Sequence, residues 1–464
     1  MKNILVKQIQ TPNGFYCYDA NVNQIVKVDN EDYKGISEAL CGNEAYDYIL
    51  SKYQKEGLFL PSEIKEIEYP ELSRIEYYLD RHINQIILQI TQNCNLRCRY
   101  CGYSNSDNTT QRNHSLKHMD FETAKKSIDF FVKHSGDSDE VAIGLYGGEP
   151  LIEFELVKNI IEYSKQQFKG KKTTFSITTN GTLLTPEKFN YLMKNNVSLV
   201  LSVDGPKKIH DKNRIMVNGK SSFEAIIRNL SKIYNEFGKD QYSKMSMNMV
   251  VDPENDLDEI CSLFDNELFK CLHLRFTIVD DTFTDFKTNY SDEFIKKFRY
   301  QYFIMLLQSN NLIEGIECKK IFEQRITQFS NEYESYQQRH DKLPEKWAPS
   351  GPCIPGKRRL FVDVNGNFFP CERVSETSEI MNIGSLDGGL CFDKVKRLVN
   401  IGNLTEEECK KCYAINKCTI CARLVDDNGE LSAKKKLLHC AAVKQEMDRN
   451  IREVLLIKEL KEYR

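Results

Sequence analysis

The sequence predicts an α/β protein whose centre is an open, partial (β/α)6 barrel. Two observations lead there. Six short β-rich runs cross the middle of the chain: "INQIILQI" (83–90), "VAIGLYG" (141–147), "TFSITTN" (174–180), "VSLVLSVD" (197–204), "MSMNMVV" (245–251) and "CLHLRFTIV" (271–279). Helix-patterned segments fall between them, which is the signature of a parallel sheet with βαβ crossovers. Six such units make an open barrel and not the closed eight-fold one. A third feature, sixteen cysteines with eight of them between 353 and 440, marks the tail as different from the barrel.

The helices carry their own punctuation. "DFETAKKSIDFFVKHSG" puts Phe121, Ala124, Ile128 and Phe131 on one face, with Asp120 as N-cap and Gly136 past the end. "TPEKFNYLMKNN" opens on Thr185 as cap with Pro186 at the first helical position. "SSFEAIIRNLSKIYNEFG" is expected to begin on serine and stop at Gly238. Before the barrel, "GFYCYDANVNQIVKVD" reads as strand, turn and strand, followed by helical "NEDYKGISEALCG" and "EAYDYILSKYQKEG", a small α+β module. The expected division is residues 1–82 for that module, 83–310 for the barrel, 311–350 for a bridging region with a charged, irregular stretch, and 351–464 for the tail and a terminal helix.

Length and charge narrow the function. The chain has 464 residues, 41% of them hydrophobic, enough for a large core, and 64 Lys plus Arg against 67 Asp plus Glu. A net charge of −3 with no long basic run gives no sign of a nucleic-acid partner. The first residues are too short and polar for a secretory signal, and no apolar run reaches membrane-spanning length, so a cytoplasmic protein without a membrane partner is expected. In such a chain, many cysteines favour metal or redox chemistry over disulfides.

"TQNCNLRCRYCGYS" (91–104) follows the first barrel strand, at the end where such folds carry their active-site loops. Cys94, Cys98 and Cys101 can wrap one face of a metal centre. A closed zinc site would need His114 or His118 as a fourth ligand. The alternative is an iron–sulfur cube held by three thiolates with one iron left open. "CNLRCRYC", with Tyr100 before the third cysteine, resembles the CxxxCxxC signature of the radical S-adenosylmethionine (SAM) superfamily. "LYGGEPL" (145–151) resembles that family's GGE motif, which implies that Gly147, Gly148 and Glu149 hold the SAM ammonium group. "TTNGTLL" (178–184) and "LSVDGP" (200–206) resemble segments contacting the SAM ribose and carboxylate, which implies roles for Asn180, Ser202 and Asp204. Arg214, in "HDKNR", is expected either to pair with the SAM carboxylate or to be a surface arginine. The resemblance implies a radical SAM barrel, SAM as cofactor, and a cluster whose electron cleaves SAM to a 5′-deoxyadenosyl radical.

The tail holds Cys353, Cys371, Cys409, Cys412, Cys418, Cys421 and Cys440. "VDVNGNFFPC" reads as a hairpin with Asn365-Gly366 suited to a type I′ turn. One or two zinc ions are one reading of these cysteines. Their order resembles the SPASM extension of radical SAM peptide maturases, which implies two auxiliary [4Fe–4S] clusters and three in all. The resemblance assigns Cys409, Cys412, Cys418 and Cys440 to the outer cluster, and Cys353, Cys371 and Cys421 to the inner one. The spacing before Cys421 is one residue shorter than the family's, and the inner cluster's fourth ligand is either Cys391 or an open iron. Glu372 stands where sulfatase-maturing members carry a catalytic aspartate; it is either a base or a glutamate paired with Arg373 or Arg358.

The N-terminal module resembles PqqD-like, winged-helix peptide-recognition domains, which bind a leader peptide by strand addition. The whole chain resembles maturases of ribosomally made, cysteine-rich precursor peptides. That implies thioether cross-links from cysteine sulfur to carbon, with an electron donor such as flavodoxin or ferredoxin. Formylglycine-forming sulfatase maturation and carbon–carbon cross-linking are the alternatives.

Overall fold

The computed structural model describes residues 3–104 and 110–462. The six barrel strands are Gln85–Thr91, Glu140–Gly147, Lys172–Thr179, Val197–Ser202, Ser246–Val251 and His273–Ile278. Each pairs in parallel with the next along the chain. All six strand ends that follow the rising chain therefore face one way, and the loops leaving them converge. This is the α/β barrel the β-rich runs predict.

Local chemistry explains the helices between the strands. Asp120 caps Phe121–His134 by accepting from the Thr123 N–H, and Thr185 caps Pro186–Lys194 through the Lys188 N–H. Ser221 caps the helix Ser222–Tyr242. That helix does not stop at Gly238. The glycine takes a left-handed φ of 71° and the helix resumes as a kinked last turn, because Tyr242 is fully buried and donates to the Leu268 carbonyl at 2.7 Å.

The tail is not an appendage. Its strand Leu360–Val362 pairs in parallel with the first barrel strand, Leu360 opposite Ile86, and carries the sheet on through Asn367–Phe369, Gly384–Ser385 and Gly389–Leu390 to ten strands. Gln89, fully buried in the first strand, fastens the join: its amide donates to Glu376 at 2.8 Å and its carbonyl accepts from the Val364 N–H. The hairpin turn differs from type I′. Gly366 is left-handed but Asn365 is not, because the Asp363 carboxylate accepts from the N–H groups of both Asn365 and Asn367 and closes the loop itself.

The N-terminal unit has one strand more than the sequence reading found: Val6–Thr11 pairs antiparallel with Gly14–Asp19, which pairs with Gln24–Val28. Helices Asn30–Leu40 and Asp47–Gln54 cover it around a small core of its own. The stretch expected to be irregular also carries structure. Helix Glu323–Ser335 runs into it, and Lys346–Trp347 pairs with Glu66–Ile67.

The C-terminal helix Ala433–Glu462 ties the two ends together. Its buried Glu459 accepts from Thr11 Oγ1 at 2.5 Å, Tyr16 Oη at 2.9 Å and Asn13 Nδ2 at 3.3 Å. Glu459→Ala removes the acceptor these groups share. Urea unfolding should show a loss of about 1–3 kcal/mol, and limited proteolysis should release the N-terminal unit sooner; an unmoved midpoint would show that the latch carries no weight.

Candidate active site: a cysteine loop over the strand ends

The loop that leaves the first barrel strand is held by a second short sheet. Leu96–Cys98 pairs antiparallel with Arg214–Met216, which sets Arg214 opposite Cys98. The second barrel strand ends in two glycines that touch this loop. A Cβ on Gly147 would lie 2.3 Å from the Thr91 carbonyl oxygen, and one on Gly148 would lie 2.0 Å from that of Asn93. Only glycine fits either position. The close approach lets Gly148 N–H donate to Thr91 O at 2.8 Å and Glu149 N–H to Asn93 O at 2.9 Å.

Glu149 is buried, and desolvation raises its carboxyl above the ordinary value, while N–H and hydroxyl donors work against that rise. It accepts from the Asn180 N–H, the Thr179 hydroxyl and the Leu151 N–H, so one carboxylate joins the ends of the second and third strands. Asn180 in turn donates to Asn95 Oδ1 at 2.9 Å, reaching back to the cysteine loop.

Asp204 departs from the expected role. Its carboxylate accepts from Arg214 Nε at 2.8 Å, from the Val250 N–H at 3.0 Å and from the Tyr100 hydroxyl. It is buried beneath these partners and does not line the cavity, whereas Arg214 and Tyr100 do. Arg214 is thus fixed through Nε by Asp204 while its guanidinium lines the cavity. His210 supports the same corner. Its Nδ1 accepts from the Asp204 N–H, and its Nε2 faces the Ser222 hydroxyl at 3.0 Å.

These strand ends enclose a cavity of about 480 Å³. Cys94, Cys98 and Cys101 line one wall beside Gly147, Gly148, Glu149, Asn180 and Ser202. Burial pushes the Cys94 thiol up to about 11 and the Cys98 thiol up to about 12, with Arg214 the main charge opposing the rise at Cys98. Thiolates form in such a setting only against compensating positive charge. The tail contributes Glu372, Arg373 and Arg423 to the same lining. Glu372 is paired with Arg359 at 2.7 Å, not with Arg373 or Arg358, and its other oxygen is buried without a hydrogen bond.

Sequence reading missed several lining residues. Tyr103 and Gln111 line the cavity, beside the buried Arg112–Glu376 pair at 2.7 Å. Gln111 Nε2 donates to the Val374 carbonyl. Nothing in the spacing of these two marks them, because Gln111 and Arg112 are held by the tail. His114, the candidate zinc ligand, lines the same cavity. His114 is held neutral, burial lowering it to about 4, and its nitrogens face Gln92 O and Ser104 Oγ; His118 is exposed.

The tail cysteines gather around a second cavity. Cys409, Cys412, Cys418 and Cys440 line a space of about 110 Å³. Cys371 forms a further group, its thiol pushed up to about 11 by burial with the charges of Glu372, Cys353 and Cys421 adding to the rise. Cys391 sits exposed at the N-cap of Phe392–Val399. All sixteen cysteines are unbridged. Among the described residues, no three His, Cys, Asp or Glu side chains converge at the spacing of one ion. Thiols spread around a cavity suit a many-iron cluster, whose corners stand further apart than the ligands of a single tetrahedral zinc.

Comparison with known proteins agrees with this geometry. The family description "Radical SAM superfamily" fits residues 88–265, from within the first barrel strand to beyond the fifth. The chain is 26% identical over 245 residues to the radical SAM cyclopropyl synthase TigE of Paramaledivibacter caminithermalis, covering 47% of this chain and 51% of that protein. It is 24% identical over 383 residues to a cysteine-type anaerobic sulfatase-maturating enzyme of Clostridium perfringens, covering 78% and 95%. The chain spans a third to a half of the length of four of the curated relatives it matches. The solved structure of anSMEcpe with bound AdoMet and Cp18Cys peptide shares the fold, with a TM-score of 0.56 at 20% identity over 82% of this chain and 99% of that one. The family match and the strand-end site together identify a radical SAM domain over residues 88–265, a family whose members bind SAM and a [4Fe–4S] cluster. Its named relatives within that class include a cyclopropyl synthase and sulfatase-maturating enzymes.

Two outcomes test the buried corner. Asp204→Leu strands the Arg214 charge, so chemical denaturation should show a loss of about 3–5 kcal/mol. Adding Arg214→Met should recover part of it. His210 has its pKa lowered by burial from the ordinary 6.5 to about 4. Between those values the unfolded chain binds the extra proton, so stability falls as pH drops from 6.5 towards 4, by up to about 1.4 kcal/mol per pH unit. His210→Gln should flatten that part of the stability–pH curve.

Proposed function

We propose that this chain oxidatively modifies a ribosomally made, cysteine-rich precursor peptide and installs thioether cross-links between cysteine sulfur and a peptide carbon. The observation that carries this reading is the shared cavity, lined both by the cysteine loop and GGE turn and by the tail's Glu372, Arg373 and Arg423. In this reading Cys94, Cys98 and Cys101 hold the SAM-binding cluster. Gly147, Gly148, Glu149, Asn180, Ser202 and Arg214 hold SAM, with Tyr100 and Asp204 fixing Arg214. When bound, these groups supply a 5′-deoxyadenosyl radical, which takes hydrogen from an unactivated C–H bond.

The chain's own residues place the peptide and move its proton. Glu372 has one oxygen fixed by Arg359 and a second that is buried and free of hydrogen bonds, a suitable acceptor for the peptide thiol's proton. Cys409, Cys412, Cys418 and Cys440 would hold the outer auxiliary cluster, and Cys353, Cys371 and Cys421 the inner one; such clusters would supply the acceptor for the electron released when sulfur bonds to the carbon radical. In the N-terminal unit the strand Gln24–Val28 lies at the sheet edge, where a leader peptide adds as a further strand. A flavodoxin or ferredoxin supplies electrons.

A second reading is favoured by one comparison each way. The Clostridium perfringens relative aligns over 95% of its length, which supports formylglycine formation. The name of TigE supports carbon–carbon bonding.

The test is on the product. The reconstituted chain is incubated anaerobically with SAM, a reductant and a candidate cysteine-rich precursor peptide, and peptide mass and thiol alkylation are followed. Loss of two hydrogens with one alkylatable thiol per event is the expected result. Two hydrogens lost with every thiol still alkylatable points to carbon–carbon bonding, and an unchanged peptide alongside 5′-deoxyadenosine rules out this substrate. Glu372→Gln should slow cross-linking about a hundredfold while 5′-deoxyadenosine is still produced.

A further inference from the structure

Lys436 is a lysine in an expensive place. It lies in the first turns of the C-terminal helix, 1% exposed, one turn before Cys440. Its ammonium donates to Cys409 Sγ at 3.0 Å, to Thr405 Oγ1 at 2.5 Å and to the Gly402 carbonyl at 3.5 Å. No carboxylate is among these partners. The next residue back, Lys435, by contrast, reaches Asp427 at 3.1 Å near the surface. A buried cation is tolerated only where a negative charge answers it; Glu408 also lines the cavity, but the charge-bearing group that Lys436 touches is the Cys409 sulfur. It lines the same cavity as Cys409, Cys412, Cys418 and Cys440, and its charge reaches Cys418 and Cys440 as well.

We propose that Lys436 raises the reduction potential of the group held by Cys409, Cys412, Cys418 and Cys440. This rests on the reading above, that these four thiolates hold a [4Fe–4S] cluster. One-electron reduction adds a negative charge to the site. A cation against a ligand sulfur stabilises the reduced form more than the oxidised one, and an N–H···S hydrogen bond acts in the same direction. Thr405 and Gly402 aim the ammonium at Cys409. Lys436 touches neither substrate nor SAM, so its part is to position charge.

The experiment uses the full chain with Cys94, Cys98 and Cys101 changed to Ala, which leaves the two auxiliary sites. Iron is counted, and the reduction steps are followed by potentiometric titration with electron paramagnetic resonance. About eight iron atoms per chain are expected. Lys436→Met should leave iron unchanged and shift one step about tenfold towards the oxidised form, about 59 mV lower for one electron. The other step stays in place, and Lys436→Arg restores the first. Lys436→Gln is read in the same way if the Met variant loses iron.

Unchanged iron with both steps unmoved in the Met or Gln variant overturns the proposal. So does loss of iron from the Met, Gln and Arg variants alike, since the lysine would then build the site and not set its potential. If the parent with Lys436 intact holds no more than about four iron atoms, the cluster reading fails instead, and the proposal falls with it.

Discussion

The close contact between the Gly147-Gly148 turn and the exit of the first barrel strand is the constraint on which the site depends. With no room for a Cβ at either glycine, the second strand's end lies directly on the backbone of Thr91 and Asn93. Two backbone hydrogen bonds then fix where the cysteine loop begins. Glu149, the next residue, carries the restraint to the third strand through Thr179 and Asn180. A loop bearing three thiols is thereby set on a rigid floor before anything binds, which is what a site needs if binding energy is not to be spent on ordering it.

Buried polar pairs do the rest of the positioning. Asp204 with Arg214 and Tyr100, Arg112 with Glu376, and Gln89 with Glu376 are all removed from water and all bridge separate segments. Such pairs give little net stability, because desolvation offsets the attraction. They do make misplacement costly, since any shift leaves a buried charge without its partner. Two of the three join the barrel side of the cavity to the tail. The tail therefore forms part of the lining of the cavity over the strand ends.

How much of this was legible beforehand differs between local and distant features. Strand positions and the caps Asp120 and Thr185 follow from residue type and spacing, and the structure has them; Cys94, Cys98 and Cys101 line one cavity. The first N-terminal strand, Val6–Thr11, was not read, because its apolar and polar residues do not alternate strongly enough to stand out. Gly238 reads as a stop but is a kink, since the burial of Tyr242 four residues later holds the chain to its helix. The Asn365-Gly366 turn was misread because the carboxylate of Asp363, outside the pair, closes the loop.

The amino-acid order alone determined which chemistry the chain carries: thiols, glycines and a carboxylate at strand ends, where short-range spacing is enough to specify a motif. The folded arrangement determined what those groups face. That Asp204 pairs with Arg214, that Glu372 shares a cavity with Cys94, and that Lys436 points at Cys409 depend on how the chain folds and not on local spacing. Periodicity and spacing report only local geometry. Contacts across hundreds of residues arise when a strand of the tail pairs with the first strand of the barrel, and no local pattern encodes that pairing.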